Sequence, residues 1–227
     1  DKLTSGWQNS DLIIIAARPA MGKTAFVLSM AKNMAVDYNT PVALFSLEMS
    51  NVQLVKRLIC NVCELEGDKI KSGKLTQAEW DQLQYRVRRL FSAPLFVDDT
   101  AALSIFELRT KARRLVREHG VKIIIIDYLQ LMNANGMKFG SREQEVSTIS
   151  RSLKQLAKEL NIPIIALSQL SRKVEDRKDS NSKRPQLSDL RESGAIEQDA
   201  DIVCFIHRPE YYMHSSEDSE KSVKGKA

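Results

Sequence analysis

The chain has 227 residues, 43% of them hydrophobic, enough for one large α/β domain with a packed core. Lys and Arg number 34 against 29 Asp and Glu, a formal charge of +5 that permits a polyanionic partner without demanding one. No apolar run approaches the roughly 20 residues that a bilayer span needs, the opening "DKLTSGWQNSD" does not read as a signal peptide, and three cysteines exclude a disulfide framework; the expected setting is reduced and cytosolic.

The first buried run is "LIIIA" (12–16). It leads into "ARPAMGKT" (17–24) and a helix expected over Gly22–Tyr38. A strand, a turn ending Gly-Lys-Thr and a helix make a phosphate-binding loop: inward backbone N–H groups, a positive helix end, a lysine for the terminal phosphates and a hydroxyl for Mg²⁺. Gly22 lets the backbone approach, Lys23 brings the charge and Thr24 the hydroxyl, while Pro19 fixes one loop angle. The general pattern has glycine where this chain has Ala17; the position asks for a small side chain at a strand exit rather than a positive φ.

The second strand is "VALFS" (42–46), followed by Glu48. If connectivity is local, this strand lies beside the first. Glu48 then either orients a water toward a γ-phosphate or is a helix-entry carboxylate near Ser50. Ser50 and Gln53 form a capping box that opens the next helix. Cys60 and Cys63 in "CNVC" share a stripe with Leu54, Leu58, Ile59 and Val62, so they are read as packing cysteines. Helices over Thr76–Phe91 and Ser104–His119 follow, the latter with Ser104 and Glu107 at its start and Gly120 at its stop. Within it "RTKARRLVR" (109–117) has a core face, and its basic side is assigned to solvent or a subunit contact.

The third strand, "KIIIID" (122–127), ends in Asp127, the form of a strand whose acid holds Mg²⁺ directly or through water. A Gly/Asn-rich loop (133–141) and a helix over Ser141–Leu160 come next. The fourth strand, "IPIIALS" (162–168), ends before Gln169, whose amide is either a γ-phosphate sensor or an ordinary strand-end group. The loop 171–186 has a single apolar residue, Val174, and a net charge of +3, which suits a charged channel or a solvated loop equally. A fifth strand, "DIVCFIH" (201–207), precedes a polar stretch from His214.

Continuous rather than alternating apolar runs, separated by helices, predict an α/β fold with a mostly parallel sheet covered by helices on both faces. Ligands of such sheets bind beyond the carboxyl ends of the strands. Those ends carry Lys23 and Thr24, Glu48, Asp127 and Gln169. Together they describe a RecA-like P-loop NTPase, with Glu48 on the strand beside the loop.

At this level of detail the chain resembles a known family. "DLIIIAARPAMGKTAF", "FSLEMS", "IIIIDYLQLM", "SREQEVSTISRSLKQLAKELNIPIIALSQLSR" and "RPQLSDLRESGAIEQDADIVCFIHR" are similar to the C-terminal motor domain of DnaB-type bacterial replicative helicases, over about residues 3 to 212. The Ala-Arg-Pro before Met-Gly-Lys-Thr departs from the general loop pattern but matches that family. The stretch 64–100 resembles it only by position and helical character.

The resemblance implies a homohexameric ring that moves on single-stranded DNA in the 5′–3′ direction and unwinds the replication fork in the cytoplasm. The fuel is ATP or another NTP with Mg²⁺, and a primase and a helicase loader are the implied partners. It divides the chain into the end of an interdomain linker (1–10), the RecA-like motor (11–213) and the polar tail of a truncated domain (214–227). Residues Arg18, Pro19, Ala20, Met21, Gly22, Lys23, Thr24 and Ala25 would bind the nucleotide, Thr24 and Asp127 the metal. Glu48, Lys23 and Gln169 would be catalytic; Arg191, Glu192 and Gly194 would meet the DNA backbone, by phosphate tracking rather than base stacking. The family's arginine finger lies beyond Ala227, so these residues alone are expected to bind nucleotide but hydrolyse it slowly. The rival readings are a RecA-type recombinase, a regulatory ATP-binding module and an ATP-binding loader or adaptor.

Overall fold

A computed structural model describes residues 4–134, 139–171 and 184–209. The tail from His214 and most of the loop 171–186 lie outside the described residues, as do the side chains of 191–195.

Six parallel strands form one sheet in the order β3-β2-β4-β5-β1-β6. They are β1 (Leu12–Ala17), β2 (Val42–Ser46), β3 (Leu95–Asp98), β4 (Ile123–Asp127), β5 (Ile164–Gln169) and β6 (Ile202–Ile206). Neighbouring side chains of a strand point to opposite faces, so an uninterrupted apolar run needs cover on both. Leu12, Ile14, Phe45, Ile124 and Ile126 join a core with Leu108 and Ala112 of α5 (Ile105–His119) and with Ile149, Leu153 and Leu156 of α6 (Arg142–Leu160). Ile13, Ile15, Leu44, Ile125 and Ile165 face the other way, onto Val27 and Leu28 of α1 (Lys23–Lys32) and Leu54 and Leu58 of α2 (Asn51–Cys63). Each fully buried isoleucine contributes on the order of 2 kcal/mol.

Two adjacencies depart from expectation. The sheet does not follow chain order: β4 and β5 stand between β1 and β2, so Glu48 is not on the strand beside the phosphate loop. β1, β2, β4 and β5 are all buried on both faces, so burial alone does not rank them, and their order is set by how the crossovers pack. The second departure is β3, a four-residue edge strand at half-buried depth with too short an apolar run to stand out.

Helix boundaries follow their caps. Ser50, Thr76 and Ser104 each close a capping box, the last two at the starts of α4 (Gln77–Phe91) and α5. Gly120, in the left-handed region at φ 62°, ends α5. The helix expected to reach Tyr38 keeps going as a π-helical turn over Asn33–Asp37. A short α3 (Gly67–Ser72) and, after a 3₁₀ segment at Leu187–Ser193, α7 (Gly194–Asp199) complete the chain. Cys63 is buried and burial raises its thiol pKa, while Cys60 is half-buried and also free, which fits packing cysteines.

Candidate nucleotide site

The strand order brings the carboxyl ends of β2, β4, β5 and β1 into one row, with Ser46 opposite Asp127 and Gln169 opposite Ala17. A cleft of about 650 Å³ opens at this rim, its floor made by the phosphate loop. Ala17 ends β1 in ordinary strand geometry, so the missing glycine is not needed there. The loop takes its left-handed turns further on, at Ala20 (φ 65°) and Gly22 (φ 91°). A Cβ at Gly22 would meet no atom within 4 Å, so the need for glycine is conformational rather than steric. Gly22 caps α1 without any side-chain bond, and the first turn carries no acid. Its free N–H groups and helix dipole are therefore available to an anion.

Seven of the eight expected loop residues line the cleft: Arg18, Pro19, Ala20, Gly22, Lys23, Thr24 and Ala25. Met21 does not; its side chain is buried beneath the loop. Arg18 is also buried and donates to the Leu170 carbonyl at 2.9 Å, joining the loop to the chain leaving β5.

Lys23 sits between opposite influences. Burial lowers its pKa, and the charges of Asp127 and Glu48 act against that. Its ammonium lies 4.4 Å from the centre of the Tyr128 ring, a favourable cation–π position. Tyr128 has its own pKa raised, first by burial and then by the same two carboxylates. Thr24 donates its hydroxyl to Asp127 Oδ2 at 2.7 Å. Asp127 is 1% exposed, and its Oδ1 has no hydrogen-bond partner. An orphaned buried carboxylate oxygen is costly. A hydroxyl and a carboxylate oxygen side by side form the hard-oxygen donor pair that suits Mg²⁺ shared with substrate phosphates and water.

Glu48 reaches the cleft although its strand is remote from β1. The Leu47 N–H donates to the Asp127 carbonyl at 2.7 Å, and Ser46 Oγ accepts from the Met49 N–H at 3.2 Å. The first bond carries the ladder with β4 one step further and the second closes a turn after β2, and Glu48 stands exposed on the cleft wall. Gln169, at the end of β5, also lines the cleft. Met49, Gln53 and Arg57 also line it and were not anticipated. The signal for two of them was present: Gln53 and Arg57 lie four residues apart, hence on one face of α2.

Arg191 and Glu192 fall in the 3₁₀ segment and Gly194 opens α7. Leu190 and Ile196 anchor that segment in the core, and the Ser171 N–H donates to the Asp189 carbonyl at 3.3 Å. Among the described residues no helix is long and apolar enough to cross a membrane.

Comparison with known proteins shows the family and the fold. The family model for the DnaB-like helicase C-terminal domain matches residues 1–226. A replicative DNA helicase DnaB from Geobacillus stearothermophilus is 52% identical over 217 residues, 96% of this chain and 47% of the relative. A replicative DNA helicase DnaC from Bacillus subtilis (strain 168) is 49% identical over 217 residues, again 96% and 47%. The chain thus spans about half the length of these relatives. A solved DnaB-like replicative helicase, described with its interactions with primase, superposes with a TM-score of 0.86 at 43% identity, covering 93% of this chain and 50% of that one. A solved ATPase domain gives the same score and identity, with coverage of 93% and 74%. Both support the RecA-like fold.

Proposed function

Because the chain belongs to the DnaB-like helicase C-terminal domain family, we propose that it is the motor of an ATP-driven helicase that moves on single-stranded DNA and opens the duplex ahead. The carrying observation is the meeting of Lys23, Thr24, Asp127 and Glu48 at one rim of the sheet, although they come from three strands that are not all neighbours.

In this reading the N-terminal N–H groups of α1 and the Lys23 ammonium hold the phosphates, restoring to Lys23 the ionic surroundings that burial removes. Thr24 and the unpartnered oxygen of Asp127 would hold Mg²⁺, whose charge would help neutralise the triphosphate. Glu48 aligns the attacking water and takes its proton. Gln169 contacts the γ-phosphate and reports its loss to the chain that follows β5. Arg191, Glu192 and Gly194 meet the DNA backbone, with Arg191 pairing to phosphate. The working assembly is a homohexamer in the cytoplasm, moving 5′–3′ and meeting a primase and a loader. Charge contributed across subunit boundaries leads us to expect slower turnover from the 227 residues alone than from a polypeptide of the relatives' length.

The test is Glu48→Gln in the full-length protein. DNA-stimulated ATP hydrolysis is expected to fall by about 100-fold or more while Mg·ATP binding stays within twofold. Turnover close to that of the parent removes Glu48 from the chemistry. An ATPase indifferent to single-stranded DNA in the parent would point instead to a regulatory ATP-binding module.

A further inference from the structure

β4 and β5 pair only through Ile124–Ile164, Ile125–Ile165 and Ile126–Ala166. Beyond that point Ser168 and Gln169 have no backbone partner on the β4 side, although Gln169 is still paired to Ala17 of β1 on the other. One side chain fills the gap. Gln130, from the 3₁₀ turn Leu129–Leu131 just after Asp127, donates from Nε2 to Ser168 Oγ at 2.8 Å and to the Gln169 carbonyl at 3.4 Å. Its Oε1 accepts from the Gln169 N–H at 3.3 Å. A primary amide offers a donor and an acceptor together, as a peptide group does, so Gln130 continues the ladder by one rung where the backbone stops.

The same residue is held from behind. Arg142, the first residue of α6, donates to the carbonyls of Gln130 at 2.6 Å and Met132 at 2.9 Å. Arg142 is paired with Glu145, whose Oε1 accepts from the Ala134 N–H at 3.0 Å. The turn that carries Gln130 is therefore tied to the start of α6 at several points.

We infer that Gln130 is a positioning residue: its amide sets the place of Gln169 relative to Asp127, so that the γ-phosphate contact and the metal-binding carboxylate keep a fixed spacing. The inference rests on the reading of Gln169 as a γ-phosphate contact. It predicts a defect in turnover rather than in nucleotide affinity, because the phosphate loop, Thr24 and Asp127 are untouched.

The experiment compares Gln130→Met, Gln130→Glu, Gln169→Ala and the Gln130→Met/Gln169→Ala double variant in the full-length protein. The readouts are DNA-stimulated ATPase and binding of Mg·ATP by calorimetry. Methionine keeps length and volume without the three hydrogen bonds. It is expected to lower kcat about 10- to 100-fold with Mg·ATP affinity within twofold. Glutamate still accepts from the Gln169 N–H and can accept a hydrogen bond from the Ser168 hydroxyl, so it should restore part of the rate. The double variant should be no slower than Gln169→Ala alone, since both changes act at one place. Normal kcat for Gln130→Met, loss of Mg·ATP binding along with kcat, or multiplying defects in the double variant each overturn the inference. If Gln169→Ala itself turns over normally, the sensor reading falls; if it is slow and Gln130→Met is normal, only the role of Gln130 falls.

Discussion

Asp127, at the rim of the cleft, is a buried carboxylate only half satisfied within the protein. One oxygen accepts from Thr24, and the other, buried, has no partner. Stability alone would favour satisfying both oxygens, so the free one is better explained by a ligand. Asp127→Asn keeps the shape and the Thr24 contact but removes the charge. In the full-length protein, calorimetry with and without Mg²⁺ should find that the metal's enhancement of ATP binding shrinks at least about tenfold in the variant. An enhancement equal to the parent's would remove Asp127 from the metal site. The neighbouring lysine obeys the same logic: burial depresses its pKa while Asp127 and Glu48 hold the charged form in place.

At the level of elements, α3 and α4 show how local chemistry joins two short segments. Glu79 accepts from Lys69 Nζ at 2.7 Å, and from the N–H and hydroxyl of Thr76 at 2.9 and 3.0 Å, closing the capping box of α4. The Lys69 bond, followed by the two from Thr76, lowers its carboxyl pKa from 4.5 to about 2. A carboxylate depressed in the folded state stabilises it fully above its unfolded pKa, and that contribution fades as pH falls through about 2. The carboxyl-carbon resonance of Glu79 should therefore titrate near 2, and in Lys69→Met it should move back toward 4.5, stopping short of it because the Thr76 bonds remain. Titration at the ordinary value in the parent would show that the bridge from α3 to α4 does not persist in solution.

Across the whole molecule, the nucleotide rim and the proposed DNA segment are joined by short contacts. Arg18 of the phosphate loop holds the Leu170 carbonyl, the Leu170 N–H returns to Ala17 at 3.1 Å, and Ser171 pairs with Asp189, two residues from Arg191. A phosphate contact at Arg191 contributes one released counterion. Arg191→Ala in the full-length protein should then weaken single-stranded DNA binding across all sequences. It should also make the log–log dependence of affinity on salt shallower by about one. An unchanged slope would take Arg191 off the DNA.

The strand-end groups that the structure gathers at the cleft were legible in the chain because each follows an apolar run that physical chemistry can recognise as a buried strand, whereas Met49, Gln53 and Arg57 follow none directly. Gly22, Lys23 and Thr24 needed only the strand before them and the helix after; Asp127 and Gln169 needed only the ends of β4 and β5. The alanine in place of the usual loop glycine was legible too, since Ala17 closes β1 with ordinary geometry. Edge strand β3 was not, because four half-buried residues leave no long apolar run. Nor was the order of strands: period and propensity are local, whereas the choice of neighbour is settled by packing between segments far apart in the chain. That choice placed β4 and β5 between β1 and β2, carried Glu48 to the site from two strands further away than chain order suggests, and set Gln130 against the end of β5. Sequence by itself determined which groups stand at the carboxyl ends of the strands; the tertiary structure decided which of them meet, because contact between residues far apart in the chain is settled by packing the whole sheet at once.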